Sequence, residues 1–142
     1  MVELTDLGFS KDMFSETIVS TYNPDGSINA APIGLKMKDT QHLSMRIFNT
    51  SSTCRNLKLK KQAVVNLTSN IEIFYKSAFK EANIDGKIPT HWFVNADVVE
   101  APKLSSSDGS IEVLIDSMSD DGERTEFSCK VKSLYAMKKY PQ

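Results

Sequence analysis

The chain has 142 residues, enough for one domain with a real core and no need of disulfides. Its 40% hydrophobic and 25% charged content excludes a disordered tail and a membrane-embedded chain. Seventeen basic residues against eighteen acidic ones leave a formal charge of −1, without the basic face that a dedicated nucleic-acid binder needs.

In chain order, residues 13–22, ending FSETIVSTY, are β-branched and partly alternating and predict a strand. Asn23-Pro24-Asp25-Gly26 is a turn, with Pro presetting φ and Gly free to take a positive φ. Residues 27–37 (SINAAPIGLKM) are the return strand of the hairpin, and residues 42–48 (HLSMRIF) a third, alternating strand. The hydroxyl run at residues 50–53 caps a short helix over residues 54–61, with Leu57 inward and lysines in the last turn. Residues 62–68 (QAVVNLT) form a nearly continuous apolar run, as in a well-buried strand. Residues 71–80 fit an amphipathic helix and residues 81–90 a polar loop. Three more strands are expected at residues 91–101, 110–118 and 125–136, separated by turn signals at 105–109 and 119–122. Short strands at regular spacing with one or two helices indicate a barrel in a single domain spanning residues 1–142.

The N-terminus carries acidic residues where a secretory signal is basic, and no stretch approaches 18 apolar residues, so a cytoplasmic protein is expected. The two cysteines, Cys54 and Cys129, do not resemble a secreted disulfide framework, although a bridge between them stays open. His42 and His91 lack metal-ligand spacing to each other or to the cysteines, and no metal is expected. No catalytic acid, base or nucleophile can be named from spacing.

Two segments could carry chemistry. In RIFNTSSTCRNL (residues 46–57), a helix start offers unpaired N–H groups, a positive dipole end and crowded hydroxyls. Arg46 lies just before it and Arg55 in its first turn, where a cation is unfavourable unless an anion binds. Taken alone, the segment is explained more simply by Ser/Thr capping with the arginines pointing to water. In Asn29-Ala30-Ala31-Pro32-Ile33-Gly34, Pro marks an edge or bulge and Gly admits a close approach to the backbone. That suits either a flat ring hydrogen-bonded to main-chain groups or an ordinary barrel corner.

The order TYNPDGSINAAPIG (21–34), Arg46-Ile47-Phe48, SSTCRNL (51–57) and Val64-Val65-Asn66 resembles the flavin reductase-like FMN-binding split β-barrels, in particular a largely archaeal, uncharacterised branch. The resemblance implies a mainly β, six-stranded antiparallel split barrel with one or two short helices, and a homodimer with FMN near the subunit interface. It implies that Ser51, Ser52 and Thr53 hold the phosphate, with Arg46 as charged partner and Arg55 and Asn56 as supporting contacts. The backbone of Ala31, Pro32, Ile33 and Gly34 would lie along the isoalloxazine edge, Phe48 would border the site, and Asn66 would reach the ribityl chain or ring. The implied activity is that of an FMN-dependent oxidoreductase using a small-molecule electron donor or acceptor. Asn49-Thr50 stands where this branch has a small Gly or Ser, and the chain ends soon after its last strand, where relatives continue into a helical part. These departures leave an alternative open: a binding module of the same barrel for another anionic small molecule.

Overall fold

A computed structural model describes residues 2–78 and 88–136. Eight strands follow in chain order: β1 (Phe14–Tyr22), β2 (Ile28–Asp39), β3 (His42–Phe48), β4 (Gln62–Leu67), β5 (Phe93–Asn95), β6 (Pro102–Leu104), β7 (Gly109–Asp120) and β8 (Arg124–Ala136). Helix α1 (Ser52–Lys60) lies between β3 and β4, and α2 (Ile71–Ala78) follows β4. Six of the strands close an antiparallel barrel in the order β1-β2-β3-β8-β7-β4, with β4 returning to β1. The expected six-stranded antiparallel barrel with two short helices is therefore the architecture observed.

Strand parity builds the core. In β3, Leu43, Met45 and Ile47 point inward, where Val19, Leu35, Val65, Ile111, Val113 and Phe127 meet them, all almost fully buried. From α1, Cys54 and Leu57 enter the same core, so the helix plugs the barrel; burying Leu57 alone contributes about 1.5–3 kcal/mol. A second apolar layer outside the wall packs Ile18 and Ala30 beneath Ile73 of α2 and Phe93 and Leu104 of the small β5–β6 ribbon. Before β1, a short 3-10 turn (Leu4–Leu7) seals the barrel against Gly109, where an added Cβ would meet Leu7 Cδ2 at 2.9 Å and the Tyr135 carbonyl at 3.1 Å.

Two expectations need correction. Residues 91–101 are not one strand: a 3-10 turn (Thr90–Trp92) leads into three-residue β5, and a loop separates it from β6. That loop is shaped by a distant carboxylate, Glu112 on β7, which accepts the N–H groups of Val98, Val99 and Asp97 at 2.6, 3.0 and 3.3 Å. Nor do Pro32 and Gly34 mark a bulge. Residues 28–36 of β2 pair with β1 in unbroken register, and the irregularity on β2 comes later, between Met37 and Asp39. The expected end of α2 at residues 79–80 and most of the loop at 81–90 lie outside the described residues. Both cysteines are buried free thiols, and burial pushes the Cys129 thiol up to about 12.

Candidate functional site

Where β1 turns into β2, the Asn23–Gly26 turn closes on a hydrogen bond from the Gly26 N–H to the Asn23 carbonyl, with Gly26 at φ 86°. This turn faces the start of α1. Between them lies a cavity of about 440 Å³, walled by Asn23, Asp25, Ser27 and Asn29 from the hairpin and by Ser52 and Arg55 from the helix. Ile28, Ile88, Pro24 and Thr90 complete the wall.

Ser51 is the N-cap. Its hydroxyl accepts the Cys54 N–H at 3.1 Å and donates to the Phe48 carbonyl at 2.9 Å. The first main-chain bond of the helix runs from the Arg55 N–H to the Ser51 carbonyl at 3.2 Å. The N–H groups of Ser52 and Thr53 precede that bond and find no partner among the described residues, at the positive end of the helix dipole. Thr53 is buried, and its hydroxyl accepts the Asn29 amide at 3.0 Å, which ties the helix start to β2. Of the three hydroxyl residues expected to hold a phosphate, Ser52 lines the cavity, Ser51 shapes the helix end, and Thr53 braces it from behind.

Arg55 enters the cavity with Asn56 behind it. Its Nη2 donates to Asn23 Oδ1 at 2.8 Å and its Nε to Asn56 Oδ1 at 3.2 Å. Asn56 is fully buried and donates in turn to Thr21 Oγ1 and Asn23 Oδ1, both at 2.9 Å. Two oxygens thus offset the unfavourable placement of a cation in a first helical turn.

Other expected site residues lie elsewhere. Arg46 has the parity of Ser44 and Phe48 and points to the outer face of β3, where it pairs with Asp121 at 3.0 Å. It borders a separate groove of about 280 Å³ with Phe14, Lys36, Lys38 and Glu126, so the cation beside the helix start is Arg55. Phe48, half exposed, lies under the Arg124 guanidinium, 4.3 Å from its ring centre. Asn66 is fully buried: its amide donates to the Ile18 carbonyl at 2.8 Å and Ser20 Oγ at 2.9 Å, and its oxygen accepts the Leu104 N–H at 2.9 Å. Those bonds occupy both ends of the side chain, which pins β6 against β4 and β1.

Ala31, Pro32, Ile33 and Gly34 continue β2 away from the cavity wall and are partly exposed. Over residues 28–34 β2 pairs with β1 alone, since its pairing with β3 begins at Leu35. Along that stretch one main-chain edge of β2 pairs with no strand of the described residues. The room beside Gly34 is partly taken by Glu16, whose Oε1 would lie 3.2 Å from an added Cβ.

Sequence reasoning read Asn23, Asp25 and Ser27 only as parts of a turn and strand, and placed Asn29 at the head of the candidate ring-binding segment rather than in this wall. A signal was present: Asn29 sits inside a strand, where Asn is disfavoured, and its amide is spent on the helix start.

A family model described as "Protein of unknown function (DUF447) N-terminal domain" matches residues 15–135. No curated protein matches the sequence. Among solved structures, an FMN-bound protein, MM1853, from Methanosarcina mazei superposes with a TM-score of 0.79 at 22% identity, covering 98% of this chain and 70% of that one. Flavoredoxin of Desulfovibrio vulgaris (Miyazaki F) matches with a TM-score of 0.72 at 14% identity, covering 87% of this chain and 69% of that one. The 2-nitrobenzoate 2-nitroreductase NbaA of Pseudomonas fluorescens matches at 0.69 and 17% identity, over 85% of this chain and 64% of that one. At such identities the likeness is one of fold, and the fold is the split barrel to which the sequence is similar.

Proposed function

The chain belongs to the DUF447 N-terminal domain family, and we propose that it is an FMN-binding flavoprotein acting as an oxidoreductase on a small-molecule donor or acceptor. The observation that carries this reading is the cavity at the start of α1. Ser52, at the helix start whose first main-chain N–H groups find no partner among the described residues, and the Arg55 guanidinium meet there, next to a stretch of β2 edge that pairs with no strand of the described residues. This donor set fits a phosphate monoester better than a neutral ligand. A solved structure of the same fold is described as FMN-bound, which supports the choice of ligand.

In this reading Ser52, Arg55 and the first turn of α1 hold the phosphate, while Ser51, Thr53 and Asn29 fix the helix end against β2. The edge of Ala31 to Gly34 supplies main-chain groups for the ring. Bound flavin would supply the hydride and electron chemistry. The chain's part is to orient and desolvate, and no acid or base among the cavity residues need be invoked.

The protein is proposed to act as a homodimer in the cytoplasm. The outer face of β1-β2-β3 carries Phe14 (70% exposed) and Phe48 (49% exposed) beside the open edge, a strip that a second copy could cover. Free thiols at Cys54 and Cys129 suit a reducing compartment, and no helix among the described residues is long and apolar enough to cross a membrane.

The test is a fluorescence titration with FMN together with a visible spectrum of the purified protein. The reading expects quenching with a micromolar or tighter dissociation constant. No binding at tens of micromolar would refute it and turn attention to a non-flavin anion.

A further inference from the structure

Resting on the reading of this cavity as a phosphate site, we infer that Asn23 and Asn56 set its charge selectivity by holding Arg55 with neutral oxygens. The directions of these hydrogen bonds are fixed by the partners. Arg55 can only donate, so the side-chain oxygens of Asn23 and Asn56 must face it, at 2.8 and 3.2 Å. That turns the Asn56 nitrogen toward Thr21 Oγ1 and Asn23 Oδ1, and the Asn23 nitrogen toward Ser27 Oγ at 3.0 Å. Asn56 and Thr21 are fully buried, so the bracket is anchored in the barrel wall rather than in the turn alone.

A carboxylate at either position would orient the guanidinium equally well and would be the stronger acceptor. It would also neutralise it. Two amides orient Arg55 through two of its five N–H donors and add no opposing charge to a residue that lines the cavity. The other charged residue of the wall, Asp25, is held by the Ser27 N–H at 3.0 Å and the Ser27 hydroxyl at 2.6 Å. With one Arg and one Asp, the described wall has a formal charge of zero. Replacing Asn23 by Asp would make it −1, so Asn23 and Asn56 are positioning residues for a dianion.

The experiment compares FMN with riboflavin, which differ only in the phosphate, on the wild-type protein and on Asn23→Asp, Asn23→Ala and Arg55→Gln. Asn23→Asp keeps the acceptor oxygen toward Arg55 and adds one unit charge at the cavity. The ratio of FMN to riboflavin affinity should fall about ten-fold or more, with riboflavin binding changed less than about two-fold. Arg55→Gln should lower the ratio at least as far. Asn23→Ala, which loosens the turn without adding charge, should lower it less than Asn23→Asp. A turn residue with only a structural role would give the opposite order, or move both ligands together. A wild-type ratio kept by Asn23→Asp, or an Asn23→Ala effect as large as that of Asn23→Asp, overturns the inference. A wild-type protein that does not distinguish the two ligands overturns the phosphate reading itself, and the inference falls with it.

Discussion

Asn66 offers a sharp separation between a strut and a ligand. Replacing it with Leu keeps the approximate volume but removes every hydrogen bond it makes. The Leu104 N–H, buried under the β5–β6 ribbon, loses its acceptor, and the Ile18 carbonyl and Ser20 hydroxyl lose a donor. Ser20 still donates to the Pro102 carbonyl at 2.5 Å, so its loss is minor. An unsatisfied buried N–H costs about 1–3 kcal/mol, and the lost donor to Ile18 adds about 1 kcal/mol. Burial of the new methyl groups returns part of this. The net expectation is a destabilisation of about 2–3 kcal/mol. With a urea dependence of about 1–3 kcal/mol per molar, the midpoint of unfolding should fall by about 0.7–3 M. Circular dichroism against urea measures this, and FMN titration on the folded variant supplies the control. A midpoint shift below about 0.5 M together with a large loss of FMN affinity would refute the strut and restore Asn66 as a direct contact.

The β7–β8 turn should be acid-labile in a defined window. Asp120, held by Lys58, Asn49 and the Gly122 N–H, and Asp121, held by the N–H groups of Arg124 and Glu123 and by Arg46, both lie lowered to about 2 from 3.8. A depressed folded value means that their stabilisation is complete above about pH 4 and drains away as pH falls toward 2. Unfolding free energy measured from pH 5 to pH 2 should therefore decline less steeply in Asp120→Asn/Asp121→Asn than in the wild type; equal slopes would refute this. Glu112→Gln, which removes a buried carboxylate from three N–H groups, should cost about 1.5–3 kcal/mol and speed hydrogen exchange at Asp97, Val98 and Val99. Unchanged exchange at those amides would show that the loop stands without it.

How far the sequence could be read follows from the range of each signal. In HLSMRIF, the inward residues Leu43, Met45 and Ile47 alternate with Ser44, Arg46 and Phe48, so parity already sets Arg46 on the outer face. Closeness in sequence to the helix start suggested Arg46 as a phosphate partner, whereas its parity turns it to the groove on the outer face, away from the cavity that Arg55 lines. The cap at Ser51 and the core position of Leu57 were local facts and were legible. The short ribbon was not: residues 96–101 are bent by Glu112, and β6 is fastened by Asn66, both from strands far along the chain. Asn66 itself stands in an apolar run whose outer face becomes buried only because β6 covers it. The cavity wall from Asn23 to Asn29 was visible only as a turn, since what makes it a wall is the helix brought opposite.

The most direct measurement is the electron density of a crystal of this protein soaked in FMN. The account predicts the phosphate among Ser52, the first-turn N–H groups of α1 and Arg55, with Asn23 and Asn56 still bracketing the guanidinium. Phosphate density lying instead in the groove beside Arg46 and Lys36, with the helix start empty, would contradict it.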